Sequence, residues 1–183
     1  MLYIIRHGRT DWNDLHKLQG RTDTSLNEEG VKMAEEAAEE YKDVHFDICF
    51  CSPLKRAKQT AEILLKDRDV PVIYDDRLME MSFGSSEGEE NCFEHPESPV
   101  YPFFMDPANY DTPPEGAESL QDLFDRTGGF LKEAVDPLLA EGKDVLIVGH
   151  GAMNSSIVCW VKGRSLADFW KDGIANCKLM RLK

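Results

Sequence analysis

The sequence predicts a three-layer α/β/α sandwich built on a mainly parallel sheet. Three observations carry this. Short apolar runs recur along the chain, longer amphipathic stretches separate most of them, and polar or glycine-bearing turns follow the most apolar runs. Strands joined through helices of about a dozen residues imply right-handed crossovers and a parallel sheet covered on both faces.

Leu2-Tyr3-Ile4-Ile5 is short, β-branched and aromatic, and reads as a buried strand. It stops at the polar turn Arg6-His7-Gly8-Arg9-Thr10. A polar stretch over 11–27 follows, with Trp12 and Leu15 embedded in it. Ser25-Leu26-Asn27-Glu28-Glu29 is a helix start, a polar cap with acids in the first turn. The helix is expected from about Glu28 to Tyr41, with Val31, Ala34, Ala37, Ala38 and Tyr41 at helical spacing. Phe46 to Cys51 is the second strand. Ser52-Pro53 is expected to cap and start a helix to about Lys66, since proline is tolerated in the first helical turn.

Val70 to Tyr74 is a further short strand, followed by a Gly- and Glu-rich loop over 80–90. Residues 91–114 show six prolines, the aromatics Tyr101, Phe103 and Phe104, and no clear period. A segment of that length is expected to act as a cap over a site or to be a poorly ordered insertion. A long helix is expected from Ser119 to Leu139, weakened by Gly128-Gly129 and Pro137. Asp144 to Val148 is the most apolar strand and ends in Gly149-His150-Gly151. A small-residue helix from Ala152 to about Val161 and a last strand over 177–182 complete the chain. No repeat or linker divides it, so residues 1–183 are expected to form one domain with a cap-like insertion around 87–114.

The chain has 183 residues, 42% hydrophobic and 30% charged, enough for one sizeable core. No stretch approaches the ~20 apolar residues that span a bilayer, and no signal peptide is expected ahead of the first strand. The net charge is −13, from 21 Lys and Arg against 34 Asp and Glu. That excludes general nucleic-acid binding, which needs a basic face. An anion-binding acidic protein must instead concentrate cations at one place. The five cysteines are odd in number and form no C-x-x-C, so they read as reduced, buried thiols of a cytoplasmic protein. Oligomeric state is left open, a homodimer being one reading. Trp160 and Trp170 suit an interface or the core.

The chemistry concentrates at strand ends. In a parallel sheet the ends Arg6-His7-Gly8, Ser52 to Arg56, and Gly149-His150-Gly151 lie on one edge, where ligands of α/β proteins bind. Two Arg, two His and helix N-termini with free N–H groups would then converge, a set suited to phosphate. Glu80 follows the strand over 70–74 and can reach the same edge as a general acid; a solvated loop glutamate is the other reading. The histidines at 7, 16, 45, 95 and 150 show no metal-ligand spacing, and no dinucleotide or P-loop motif occurs. No metal and no cofactor are expected.

These residues resemble a known family. Arg6-His7-Gly8-Arg9-Thr10 with Trp12-Asn13, Gln19-Gly20-Arg21-Thr22-Asp23, Leu26 to Gly30, Ser52 to Ala61, Leu78 to Gly88, Pro114 to Ser119 and Val148 to Gly151 are similar, in order, to the signature blocks of the histidine phosphatase superfamily. That superfamily includes cofactor-dependent phosphoglycerate mutases and many phosphatases. The resemblance implies that His7 is the nucleophile, that Arg6, Arg56 and His150 bind the phosphate, and that Glu80 is the acid. It also implies a phosphate-pocket donor at Asn13 and a close backbone approach at Gly151. Gln19, Gly20 and Arg21 are candidate substrate-binding residues, and Arg9, Gln19, Arg21, Tyr101, Phe103 and Phe104 are candidates for specificity.

The chain departs from the family where substrate is selected. Ala152-Met153-Asn154 follows Gly151 where many relatives carry a basic residue, Asn91 to His95 replaces a Trp/Glu-patterned helix, and the chain is shorter than typical mutases. The expectation is therefore a phosphatase acting on a small phosphorylated metabolite through phosphohistidine. The alternatives are a phosphoglycerate mutase and, from another class, a non-catalytic phosphate-binding module.

Overall fold

The computed structural model describes residues 1–183. Its strands are β1 (Leu2–Arg6), β2 (Ile48–Cys51), β3 (Val72–Tyr74), β4 (Val145–Gly149) and β5 (Leu179–Arg181). They form one sheet in the order β3-β2-β4-β1-β5. The first four are parallel to their neighbours, and β5 closes the edge antiparallel to β1. Leu2 pairs with Val145 and Ile48 pairs with the same residue from the other side, so β4 is central and wholly buried.

Alternation along the strands feeds two cores. Ile4, Phe50, Val145 and Ile147 point to one face, where they meet α5 (Leu120–Phe130) and α7 (Gly151–Lys162). Ile5, Cys49, Cys51, Leu146 and Val148 point to the other, against α2 (Glu28–Glu40) and α3 (Lys55–Leu64). This is the expected three-layer arrangement, and Cys49 and Cys51 share one face as their spacing requires. All five cysteines are free and buried. Burial pushes the Cys49 and Cys177 thiols up to about 12, which makes them poor nucleophiles.

Several boundaries differ from the sequence expectation, each for a local reason. A short helix, α1 (Asp11–Asp14), stands inside the polar stretch over 11–27, closed by a reciprocal capping box between Thr10 and Asn13. Helix α3 begins only at Lys55, with Leu54 at its cap. Ser52 and Pro53 lie outside it, so neither starts the helix. The long helix expected over 119–139 is interrupted. Residues Leu131–Val135 form a π-turn between α5 and α6 (Asp136–Ala140), which places Pro137 in the first turn of α6, where its missing N–H costs little.

The segment over 91–114 holds a helix, α4 (Tyr101–Met105), followed by a 3-10 turn at Pro107–Asn109. Phe103 is its anchor. It is fully buried, with ring centroids 5.4 Å from Phe83, 5.3 Å from Tyr110, 5.6 Å from Phe169 and 5.1 Å from Trp170. Replacing it by alanine removes this contact set and leaves a cavity. Phe103→Ala is therefore expected to lower unfolding stability by about 3–5 kcal/mol in a denaturant titration. A loss below about 1 kcal/mol would mean the segment does not depend on this anchor.

Candidate active site

The carboxyl ends of β1, β2 and β4 are stitched together beyond the ladder itself. His7 N–H donates to the Gly149 carbonyl at 3.0 Å, and Ser52 N–H donates to the Val148 carbonyl at 3.0 Å. His7, Ser52, Arg56 and His150 therefore converge, and all four are buried. His7 and Arg56 line a cavity of about 250 Å³ that also touches Arg6, Asn13, Gln19, Gly20, Glu80 and Gly151, whereas Ser52 and His150 are packed outside its lining.

His7 is held in one tautomer. Its Nδ1 lies 2.6 Å from the Gly8 carbonyl, which can only accept, so Nδ1 carries the proton. Nε2 keeps its lone pair and accepts from Arg56 Nε–H at 3.2 Å. The loop around it is pinned by Asn176 Nδ2, which donates to the His7 carbonyl, and by Gly8 N–H, which donates to Thr60 Oγ1. A Cβ on Gly8 would lie 2.4 Å from the Gly30 carbonyl oxygen, so only glycine lets β1 run this close to α2.

His150 is oriented by Ser52. The Ser52 hydroxyl accepts from Leu54 N–H at 3.3 Å and shares a hydrogen bond with His150 Nε2 at 2.7 Å. His150 Nδ1 is buried with no protein partner. The two imidazole centroids are 5.2 Å apart.

Arg56 is 1% exposed. Beyond His7, it donates to the Thr22 carbonyl at 2.8 Å and the Gly20 carbonyl at 2.7 Å. Burial brings its guanidinium down to about 10, so it stays protonated at neutral pH. Arg6 donates to the Ile174 carbonyl at 2.9 Å, and its Nε is buried without a partner.

Glu80 sits at the start of α7. One oxygen accepts from Met81 N–H at 2.9 Å and Met153 N–H at 3.0 Å, and the other accepts from Ala152 N–H at 3.2 Å. Arg126 fixes the approach to it by donating to the Arg77 and Met79 carbonyls at 2.6 and 2.8 Å. Two expectations are corrected here. The N-termini of α7 and α3 are not free, because Glu80 occupies the first and Asp23 accepts from Lys55 N–H at the second. The donors left for an anion are then arginine and imidazole side chains. An amide is added by Asn13, whose Oδ1 accepts from Thr10 N–H at 3.1 Å, leaving its NH2 group available.

The remaining expected residues divide. Gln19 and Gly20 line the cavity, although the Gln19 side-chain oxygen is engaged by Thr10 and Thr24. Gly20 has φ +53°, and a Cβ there would meet the Glu87 carboxylate at 2.2 Å. Arg21 is not in the lining: its guanidinium donates to the Glu80 carbonyl at 3.3 Å and pairs with Glu118. Arg9 pairs with Asp14 and is also outside. Ser52, Thr60, Glu87, Arg126 and Asn176 were not singled out as site residues. Each acts through a backbone group or a histidine far away in sequence.

The class of protein so defined presents a buried arginine, a half-buried one and two neutral imidazoles at a sheet edge, a setting for an oxyanion and for nitrogen nucleophilicity. The profile of the histidine phosphatase superfamily (branch 1) matches residues 2–183. The chain belongs to that superfamily. It is 37% identical over 163 residues to the uncharacterized phosphatase PhoE of Bacillus subtilis, covering 87% of this chain and 76% of that one. It is 32% identical to a 2,3-bisphosphoglycerate-dependent phosphoglycerate mutase of Nautilia profundicola, covering 96% of this chain and 90% of that one. Among solved structures, Bacillus stearothermophilus YhfR superposes with a TM-score of 0.86 at 29% identity, covering 97% of this chain and 88% of that one.

Burial, followed by Arg56, holds both His7 and His150 well below the usual histidine value; Arg6 acts in the same direction. The unfolded chain takes up protons on these rings below about pH 6.5, whereas the folded chain does not. Acidification therefore favours the unfolded state, by about 1.4 kcal/mol per pH unit for each ring between the two values. Unfolding titrations at pH 7.0, 6.0 and 5.5 are expected to show stability falling with pH over this window. Constant stability would mean that the rings are not buried neutral.

Proposed function

We propose that this chain hydrolyses small phosphomonoesters through a phosphohistidine at Nε2 of His7. The observation that carries the reading is the His7 tautomer. The bond from Nδ1–H to Gly8 leaves the lone pair on Nε2, where Arg56 donates to it, and the depressed basicity keeps it unprotonated at neutral pH. A neutral imidazole needs no general base to become a nucleophile.

Arg6, Arg56 and His150 would hold the non-bridging oxygens of the phosphoryl group, Arg56 exchanging its His7 contact for one of them. Asn13 would add a donor, and Gly151 would let the phosphoryl group approach α7. These cations and dipoles stabilise the charge spread over the equatorial oxygens as the phosphoryl group passes to nitrogen. The Nε2–P bond forms, the P–O ester bond breaks, and the alcohol leaves with a proton from Glu80. Glu80 then accepts a proton from water as the water oxygen attacks phosphorus, the N–P bond breaks, and phosphate departs.

Hydrolysis fits better than mutase chemistry because a mutase must retain a bisphosphorylated intermediate away from water. The cavity is small and the segment over 91–114 is short. The intact His7, Arg56, Glu80 and His150 favour turnover over a pure binding role. The donor set also suits an anion better than a metal, since two arginines flank the imidazoles. A cytoplasmic setting goes with the five free, buried thiols. No helix is long and apolar enough to cross a membrane.

His7→Ala is expected to lower kcat on a generic phosphomonoester by about four orders of magnitude or more, and EDTA is expected to leave the parent activity in place. Full activity in the variant, or silence of the parent with chelator, would sink the mechanism. Rapid isomerisation of 3-phosphoglycerate in the presence of 2,3-bisphosphoglycerate would replace the hydrolase with a mutase.

A further inference from the structure

Beyond the cationic end, the same cavity changes character. Its outer walls are Trp12, Phe83, Phe93, Phe104 and Trp170, with Leu18 and Cys92 between them. The rings form a continuous surface. Phe104 stacks on Trp170 at 5.9 Å with planes 14° apart and lies 6.5 Å from Phe83 and 6.3 Å from Phe93. Trp170 spends its indole N–H on the Phe103 carbonyl at 2.9 Å, so it turns no hydrogen-bond donor toward a ligand.

The cations that would recognise a carboxylate on the leaving group are committed or elsewhere. Lys17, on the cavity wall, pairs with Glu90 at 3.3 Å and stands over the Trp12 ring at 5.9 Å. Arg9 and Arg21 pair with Asp14 and Glu118 and do not line the cavity. The other lining imidazole, His16, lies edge-on to Phe93 at 6.2 Å. A carboxylate placed against these rings would lose water with only Lys17, already paired, and the imidazole of His16 as basic side chains on that part of the wall, which is costly in an apolar setting. An aromatic or alicyclic ring would gain buried area and ring contacts. The volume of about 250 Å³ falls below the ~300–1,000 Å³ of pockets for drug-sized ligands. Phosphate and one ring fit that space better than phosphate and a fused or two-ring group.

We propose that the aromatic outer wall of this cavity selects phosphomonoesters whose alcohol carries a single uncharged apolar ring and rejects carboxylate-bearing phosphates such as phosphoglycerate and phosphoserine. This rests on the phosphatase reading of the inner site. Trp170 and Phe104, stacked on one another in that wall, are the specificity residues.

Benzyl phosphate, glycerol 3-phosphate and 3-phosphoglycerate are suitable probes, because all three are esters of alkyl alcohols and differ chiefly in what surrounds the ester. Benzyl phosphate is expected to show kcat/KM about tenfold above glycerol 3-phosphate, and further above 3-phosphoglycerate, with the gain in KM. Trp170→Ala and Phe104→Ala are each expected to cut the benzyl-to-glycerol ratio about tenfold, and Trp170→Phe to restore much of it. A ratio of two substrates does not depend on how much of a variant folds. Turnover of 3-phosphoglycerate equal to or above that of benzyl phosphate would overturn the proposal, as would ratios unmoved by both alanine variants.

Binding separates this proposal from the catalytic reading. Calorimetry with benzylphosphonate and 3-phosphonopropionate needs no turnover. Tighter binding of benzylphosphonate by a parent that hydrolyses nothing would remove the phosphatase reading and keep the ring selectivity. Equal or weaker binding of benzylphosphonate would remove the selectivity whatever the activity.

Discussion

Arg56 Nε–H donates to Nε2 of His7 at 3.2 Å, inside the protein, and the surrounding architecture serves to keep that guanidinium buried. An unpaired charge in the interior costs several kcal/mol even after relaxation. Here the charge is spread over two backbone carbonyls, those of Gly20 and Thr22, which belong to a loop with no regular structure. The loop in turn hangs on Glu87, whose carboxylate accepts from Arg21 N–H, Thr22 N–H and the Thr22 hydroxyl. Gly20 has a left-handed backbone because this path brings it against Glu87. One buried cation thus connects β1, α3, the loop over 19–24 and the turn over 84–88.

The same burial sets the chemistry. Two imidazoles beside two arginines stay neutral; a carbonyl dictates the tautomer of His7, and the Ser52 hydroxyl orients His150. In a chain of net charge −13, the positive potential needed for an anion is confined to this edge. Glu80 is the only carboxylate lining the cavity, and it is tied to three backbone N–H groups. The outer wall continues in aromatic rings, so one cavity joins a polar end that grips an anion to an apolar end that sorts what is attached to it.

The layered fold was legible because β1, β2 and β4 are apolar runs of strand length, and a parallel sheet puts their polar ends on one edge. That argument alone brought His7, Arg56 and His150 together, and the family resemblance added the roles. Features held by partners distant in sequence were less legible. Arg21 reads as a substrate-specificity residue beside Gly20, yet its backbone N–H meets Glu87 66 residues away and its side chain meets Glu118. Ser52 reads as a helix cap before proline, but its hydroxyl is drawn to His150, 98 residues on. The helix N-termini read as open anion sites because nothing local showed that Glu80 and Asp23 would fill them. The irregular 91–114 segment concealed Phe103, whose burial depends on Phe169 and Trp170 near the other end of the chain.

The central claim is that Nε2 of His7 carries the phosphoryl group between two chemical steps. A rapid acid-free quench of Glu80→Gln with a radiolabelled phosphomonoester, followed by peptide mapping, reads this directly. The account requires label on the peptide containing His7, stable in alkali, lost in acid, and formed at least as fast as phosphate is released. Phosphate release at full rate with no label on His7 would show water attacking the ester in one step, and the account would be wrong.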